Sequence, residues 1–447
     1  MLKPLIRDTR KQINRTSGIL FLVILFGALG AGFFFVVQNI LGVQGMLGAL
    51  DPANEPILWF ILFWATDFFM VAMVALLCYF IAGWPGVAPG LSLAIYFAHF
   101  AGTPVAASES YHAFFATPLH HGGGVNIGWL SYLFMALLCA LLIKLCYAGW
   151  HALKVKAGEK AHKILDQVDL IVLVLIIPVG SAALTWLVIH YGVQTPAALL
   201  PTLVEPLLNL ANSSVILVGI LFGLMIGFDI IGPLSMTAFA VAAAAFLQSD
   251  ARLLTIYGAA FVTVGWAPLA MFLLCKLTKK LHADNDDLNL AISGPINAFF
   301  ENMKLTVAFA MPFAMRSPLA VIPGLMTGSA VTGGLVALWG IVNQSYLTDI
   351  PSMGGGLTMA ELLHRGEIYL SFTLPFRSGG WWDVRIPLAI CILAGAIAGG
   401  AVMFGLRVLC VRGQKKRGTY VENNGDIVLD MRNLAKQRFN DLRKTKS

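Results

Sequence analysis

Among the ionisable side chains inside or beside long apolar runs, four are the candidates for function, and they bound the chemistry this chain can do. A charged group at the centre of a membrane helix costs roughly 2.5 to 3.5 kcal/mol, so each one needs a partner or a task. Asp67 lies mid-run in Phe63-Trp64-Ala65-Thr66-Asp67-Phe68-Phe69, and Asp229 lies in Gly227-Phe228-Asp229-Ile230-Ile231-Gly232-Pro233. Glu301 and Lys304 share one broken segment. Gly232-Pro233 interrupts helical hydrogen bonding beside Asp229, because proline has no N–H to donate, and the freed backbone groups can line a solute cavity at membrane depth. The competing role for Asp229 is to cap the helix that follows. Asp67 is either a solute ligand or a hydrogen-bonding group between packed helices. Glu301 and Lys304, three residues apart, either neutralise each other on one helix face or serve the solute.

Other polar groupings are weaker. Ser352 beside Gly354-Gly355-Gly356 would make a backbone loop next to a cavity. The small-residue stretch Gly324, Gly328, Ser329, Gly333 and Gly334 reads as a close helix-packing face. His120-His121 invites a metal, but adjacent histidines point apart and spacing places no third ligand, so neither a metal nor a cofactor is expected. His364, Arg365 and Glu367 sit among polar neighbours and read as a solvated loop. No nucleophile stands with a base, so no catalytic residue is assigned.

The elements that must position these groups are membrane helices. The chain has 447 residues, 58% hydrophobic and 12% charged, against about 25% charged in an ordinary soluble domain. Long apolar runs fall at 17–39, 57–83, 126–149, 168–191, 213–228, 232–248, 252–275, 318–343 and 386–410. A weaker run, 86–107, follows Pro85-Gly86-Val87-Ala88-Pro89-Gly90 and is counted as a crossing because the charge pattern needs one there. The expected fold is an all-α polytopic membrane protein of about ten transmembrane helices, with broken helices and a re-entrant segment at 291–316, where Gly294, Pro295 and Pro312 interrupt the run. Residues 195–214, rich in proline, should lie in the outer interface or line a cavity.

Charge sets the expected orientation. Lys154, Lys156, Lys160 and Lys163, then Lys276, Lys279 and Lys280, then the tail from Arg407 are basic, whereas 40–56 and 108–125 carry no Lys or Arg. The basic segments should face the cytoplasm, with both termini inside. The net charge of +7 follows from these loops rather than from nucleic-acid binding. Residues 1–16 read as a cytoplasmic basic N-terminus, 17–411 as the membrane domain and 412–447 as a polar basic tail. The first apolar run is longer than a signal-peptide core and should remain as a helix in contact with lipid. The six cysteines mostly lie in or at the ends of apolar runs, without a CxxC pair or a neighbouring histidine ladder, so neither disulfides nor a metal is expected.

Several of these stretches together resemble the fructose-type enzyme IIC, the permease of the bacterial phosphoenolpyruvate-dependent sugar phosphotransferase system. Ile81-Ala82-Gly83-Trp84-Pro85-Gly86-Val87-Ala88-Pro89-Gly90 is similar to the family's Ile-Ala-Asp-Arg-Pro-Gly-X-Ala-Pro-Gly turn. Asp229 to Met236 resembles its Asp-X-Gly-Gly-Pro-X-Asn-Lys signature, and Ala310 to Phe313 the end of Thr-Glu-Gly-Ala-Ile-Pro-Phe. Pro351 to Gly355 is a looser match to Pro-His-Gly-Gly. The chain departs from the pattern at Ala308, where the family has glutamate, and at Ser235 and Met236, where it has asparagine and lysine.

The resemblance implies a permease for a fructose-like sugar or hexitol, a homodimer in the lipid, and a separate enzyme IIB-like subunit whose phosphocysteine phosphorylates the sugar. It places the protein in a bacterial inner membrane and the substrate near Asp229, Gly232, Pro233 and Ser235, near Ala308 and Pro312, and near Ser352, Gly354 and Gly355; either Glu301 or Asp67 takes the place of the missing glutamate, or the solute differs, or sugar is no longer transported. The alternative is a divergent membrane sensor or a transporter that does not phosphorylate, on the same scaffold.

Overall fold

A computed structural model describes residues 8–9, 11–17, 19, 68–97, 128–197, 199–230, 232–248, 250–281, 291–292, 294–295, 314–315, 317–343 and 381–420. Every regular element among them is helical. Among the described residues, five helices are long and apolar enough to cross a membrane, and Val215–Phe228 and Pro233–Phe246 are shorter apolar helices. The all-helical, multi-pass reading therefore holds, and five of the expected crossings are seen at full length.

The chain first forms a hairpin of α1 (Phe68–Ala82) and α2 (Trp84–Ile95). Gly83 turns it at a φ of 78°, a conformation that side chains strain to reach. On α2, Gly86 and Gly90 lie one turn apart and let it pack onto α1. A Cβ on Gly86 would stand 2.6 Å from the Cys78 carbonyl, and one on Gly90 2.8 Å from Cys78 Sγ. The Pro-Gly-Val-Ala-Pro-Gly motif thus shapes a tight helical hairpin. Whether the run from 86 continues to 107 falls outside the described residues.

Then come α3 (Gly128–Lys156), α4 (Glu159–Ile171) and α5 (Ile177–Ile189), the last two joined by the π turn Val172–Ile176, with a second π turn at His190–Gln194. A third π turn, Trp381–Arg385, opens the last helix. Each ends two residues before a proline: Pro178, Pro196 and Pro387. The proline ring crowds the carbonyl four residues back and supplies no N–H, and one wider turn relieves the clash without ending the helix. The freed Leu173 carbonyl accepts instead from the Tyr147 hydroxyl on α3. Between α3 and α4, Lys154 pairs with Asp166 at 2.7 Å and Asp169 at 3.3 Å, so this basic loop is partly neutralised locally.

Residues 199–213 form a 3-10 turn (Leu200–Leu203) and α6 (Val204–Ser213), packed on the two short helices α7 (Val215–Phe228) and α8 (Pro233–Leu247). The core of this half is α7 with α9 (Arg252–Thr278), α10 (Pro318–Leu338) and α11 (Ile386–Arg417). Glycines on facing helices let the backbones touch. A Cβ on Gly219, Gly223 or Gly227 of α7 would overlap the α10 backbone at Gly333, Ser329 and Met326 respectively. A Cβ on Gly399 would stand 2.6 Å from the Gly324 carbonyl, and one on Gly400 2.6 Å from Ala270. Between α9 and α10, Thr263 and Thr332 share a 2.7 Å hydrogen bond, and Thr332 also donates to the Cys391 carbonyl of α11. The small-residue stretch read as a packing face is one. Helix α11 continues to Arg417, past the boundary expected at residue 411.

Candidate functional site

The site is built by the way α7 and α8 meet. Contacts pair Gly219 with Gly333, Gly223 with Ser329 and Gly227 with Met326, so α7 runs antiparallel to α10. Helix α8 starts beyond the break at Pro233 and ends five residues before α9 begins at Arg252, and Thr255 of α9 accepts from the amide of Asn343 just past the far end of α10. The two short helices therefore form a hairpin that enters and leaves at the same end. Their 14 and 15 residues give lengths of about 21 and 22 Å at 1.5 Å per residue, short of the roughly 30 Å of a hydrocarbon core. The sequence reading took them as two crossings. As a hairpin they leave the parity of the topology unchanged, since either arrangement returns the chain to the side it left.

The tip of the hairpin, Asp229 to Gly232, falls between the midpoint of α10 and its N-terminal end. At that end, too, lie Lys276 of α9 and Lys279 just after it, with Lys415, Lys416 and Arg417 of α11.

Asp229 is 7% exposed and closes α7, its amide donating to the Met225 carbonyl at 3.2 Å. Its carbonyl accepts from the Gly232 amide at 2.9 Å, and its carboxylate accepts from the Leu234 amide at 3.3 Å. That last bond makes it a cap for α8, where free N–H groups and the helix dipole favour a negative charge. Capping and solute binding, posed as alternatives from the sequence, are compatible here: a carboxylate has about four acceptor positions.

Gly128, the first residue of α3, sits against this carboxylate at a φ of 77°, and any Cβ there would overlap it. A Cβ on Gly232 would do the same. The start of a second helix thus adjoins Asp229, a contact the sequence reading missed. Its one trace was a glycine at the start of a long apolar run. Ser235, fully buried, donates to the Gly232 carbonyl at 3.2 Å, and Thr237 donates to the Pro233 carbonyl at 2.8 Å. In this arrangement Ser235 reinforces the first turn of α8.

The structure thus brings together Asp229, Gly232, Pro233 and Ser235. Asp67, Glu301, Ala308, Pro312, Ser352, Gly354 and Gly355, like His120-His121, lie outside the described residues. Among the described residues, no three His, Cys, Asp or Glu side chains cluster as metal ligands would.

The class these features define is a multi-pass helical membrane protein with a buried carboxylate at the tip of a broken helix pair. Within that class the chain is a divergent relative of fructose-type enzyme IIC permeases. It is 28% identical over 198 residues to the fructose-specific EIIABC component of the phosphotransferase system of Bacillus subtilis (strain 168), which covers 44% of this chain and 29% of that one. It is 28% identical over 200 residues to fructose-like permease IIC component 2 of Escherichia coli (strain K12), covering 44% and 53%. With the fructose permease IIC component of Bacillus amyloliquefaciens it shares 27% over 198 residues, covering 44% and 60%. The chain thus spans less than two thirds of the length of each of these relatives. No family model and no solved structure matches it.

Proposed function

We propose that this chain is the membrane permease component of a sugar phosphotransferase system, carrying a fructose-like sugar or hexitol across the inner membrane to a separate phosphoryl-donor subunit. The observation that carries the reading is the similarity to fructose-specific permease components. The hairpin tip supports it, because irregular backbone at membrane depth is tolerated where it lines a cavity or is buried in protein. A charged acceptor such as Asp229 makes hydrogen bonds to sugar hydroxyls about twice as strong as a neutral one. Residues 17–411 form the transport domain on this reading, and the basic ends of α9 and α11 face the cytoplasm, following the positive-inside rule. The chain works as a homodimer in the lipid, by analogy with the family, and the phosphocysteine belongs to the donor subunit. The permease then contributes positioning and exclusion of water rather than a nucleophile.

Equilibrium binding of labelled fructose and hexitols to the purified protein tests this. The unaltered chain should bind one of them, and Asp229→Asn, still folded, should not. Equal binding by both would remove Asp229 from the site.

A further inference from the structure

We propose that the π turn His190–Gln194 completes the solute site by bringing the Gln194 amide level with Asp229, where Gln194 and Trp129 hold sugar hydroxyls. This deepens the permease reading and rests on it. The buried stripe along this long helix runs Val172, Ile177, Ser181, Thr185, Ile189 and Gln194. Its steps are four residues within α5 and five across each π turn. A four-residue step from Ile189 would have put Val193 on the stripe, so the extra residue of the second π turn replaces an apolar side chain with an amide. Such turns inside α-helices recur at functional sites.

Side-chain contacts fix where that amide lies. Tyr147 of α3 bonds Leu173, Trp150 bonds Asp169, and Lys154 pairs with Asp166. One number rises as the other falls, so the helices are antiparallel. The same register carried to the start of α3 sets His190–Gln194 level with Gly128–Tyr132, and Gly128 is the residue packed against Asp229.

Three polar groups then lie at this level. Gln194 is 1% exposed, its Oε1 held 2.6 Å from His190 Nδ1. The His190 ring is fixed by parallel stacking on Trp186 at 4.8 Å, and Tyr96 meets Trp186 edge-on. Trp129 is fully buried and its indole Nε1 has no hydrogen-bond partner among the described residues. Buried donors in proteins nearly always have acceptors, and a hydroxyl oxygen is a suitable one. A carboxylate, an amide and an indole N–H together suit an uncharged polyol, whose hydroxyls both donate and accept.

The test is fructose binding to the full-length protein, repeated with mono-deoxy fructoses. Gln194→Leu and Trp129→Phe should each weaken fructose binding by about tenfold or more, with thermal unfolding little changed. One deoxy sugar should bind the unaltered protein weakly and Gln194→Leu no worse than fructose does, which identifies the hydroxyl held by the amide. A merely structural Gln194 would change unfolding and leave the ranking of the deoxy sugars as it was, and that result overturns the proposal. If Gln194→Leu does not fold, Trp129→Phe decides: unchanged affinity overturns the proposal. Failure of the unaltered protein to bind any of these sugars would instead overturn the permease reading.

Discussion

The block formed by α7, α9, α10 and α11 and the long helix from α4 through α5 are both apolar, yet they use their surfaces differently. In the most hydrophobic stretch of α9, 72% of residues are buried within the protein, against 28% for the helix spanning Ile164–Gln194. The first is joined by backbone contact at glycines and by the Thr263–Thr332 bond. The second touches its neighbours along one stripe, and its exposed Leu, Ile and Val side chains suit lipid. Hydrocarbon offers no hydrophobic drive for helices to associate, so intimate packing needs small residues, and a lipid-facing helix needs only bulk. Asp229 is placed by the first region, and α3, which adjoins Asp229 at Gly128, is braced by the second.

The largest effect expected from this contrast is at Gly223, where a Cβ would overlap the α10 backbone. Gly223→Val should cost about 3 kcal/mol or more by overpacking, whereas Gly180→Val, with open space around it, should stay within about 0.5 kcal/mol. Thermal unfolding in detergent reads both, and equal shifts would dissolve the distinction. Next is Gly128→Ala, strained by its φ of 77° and by overlap with Asp229, and expected to cost about 1 to 3 kcal/mol and to weaken sugar binding. Tighter binding by that variant would break the link between α3 and the hairpin.

Thiol labelling sharpens the comparison at smaller cost to the protein. Cys146 is exposed and should react with a maleimide in native protein, while Cys78, Cys139, Cys275 and Cys391 are buried and should react after unfolding only. The smallest effect is at the turn before α9. Burial pushes the Asp250 carboxyl up, but hydrogen bonds from the Arg252 side chain and amide outweigh it and hold the group below its ordinary range. A depressed carboxylate stabilises the fold above its unfolded-state value, and that contribution is lost as pH falls through the folded one. Asp250→Asn should therefore cost under about 1 kcal/mol at neutral pH, with the gap to the unaltered chain closing in acid.

Much of this was legible in the residues, for identifiable reasons. The break at Asp229 follows from Gly232-Pro233, because a missing N–H is a local fact. The small-residue face of α10 was equally readable, since close packing needs glycine wherever it occurs. That α7 and α8 form one hairpin was not readable, because the partner that sets their depth, α10, lies some hundred residues away in the chain. The π turns left only a trace in Pro178, Pro196 and Pro387, whose usual reading is a kink or an end. Counting lysines alone hid the pairing of Lys154 with Asp166 and Asp169, because orientation depends on Lys and Arg while local packing depends on both signs. Gly128 and Asp229 are a hundred residues apart, and no local pattern joins them.

On the proposed function, this scaffold delivers a sugar for phosphorylation despite having Ala308 in place of the family glutamate. Uptake of labelled fructose and hexitols by cells making the chain, with and without an enzyme IIB-like donor subunit, tests it most directly. The account predicts accumulation of phosphorylated sugar that depends on the donor and is lost in Asp229→Asn. No accumulation with the donor present, from protein shown to be folded and in the membrane, would contradict it.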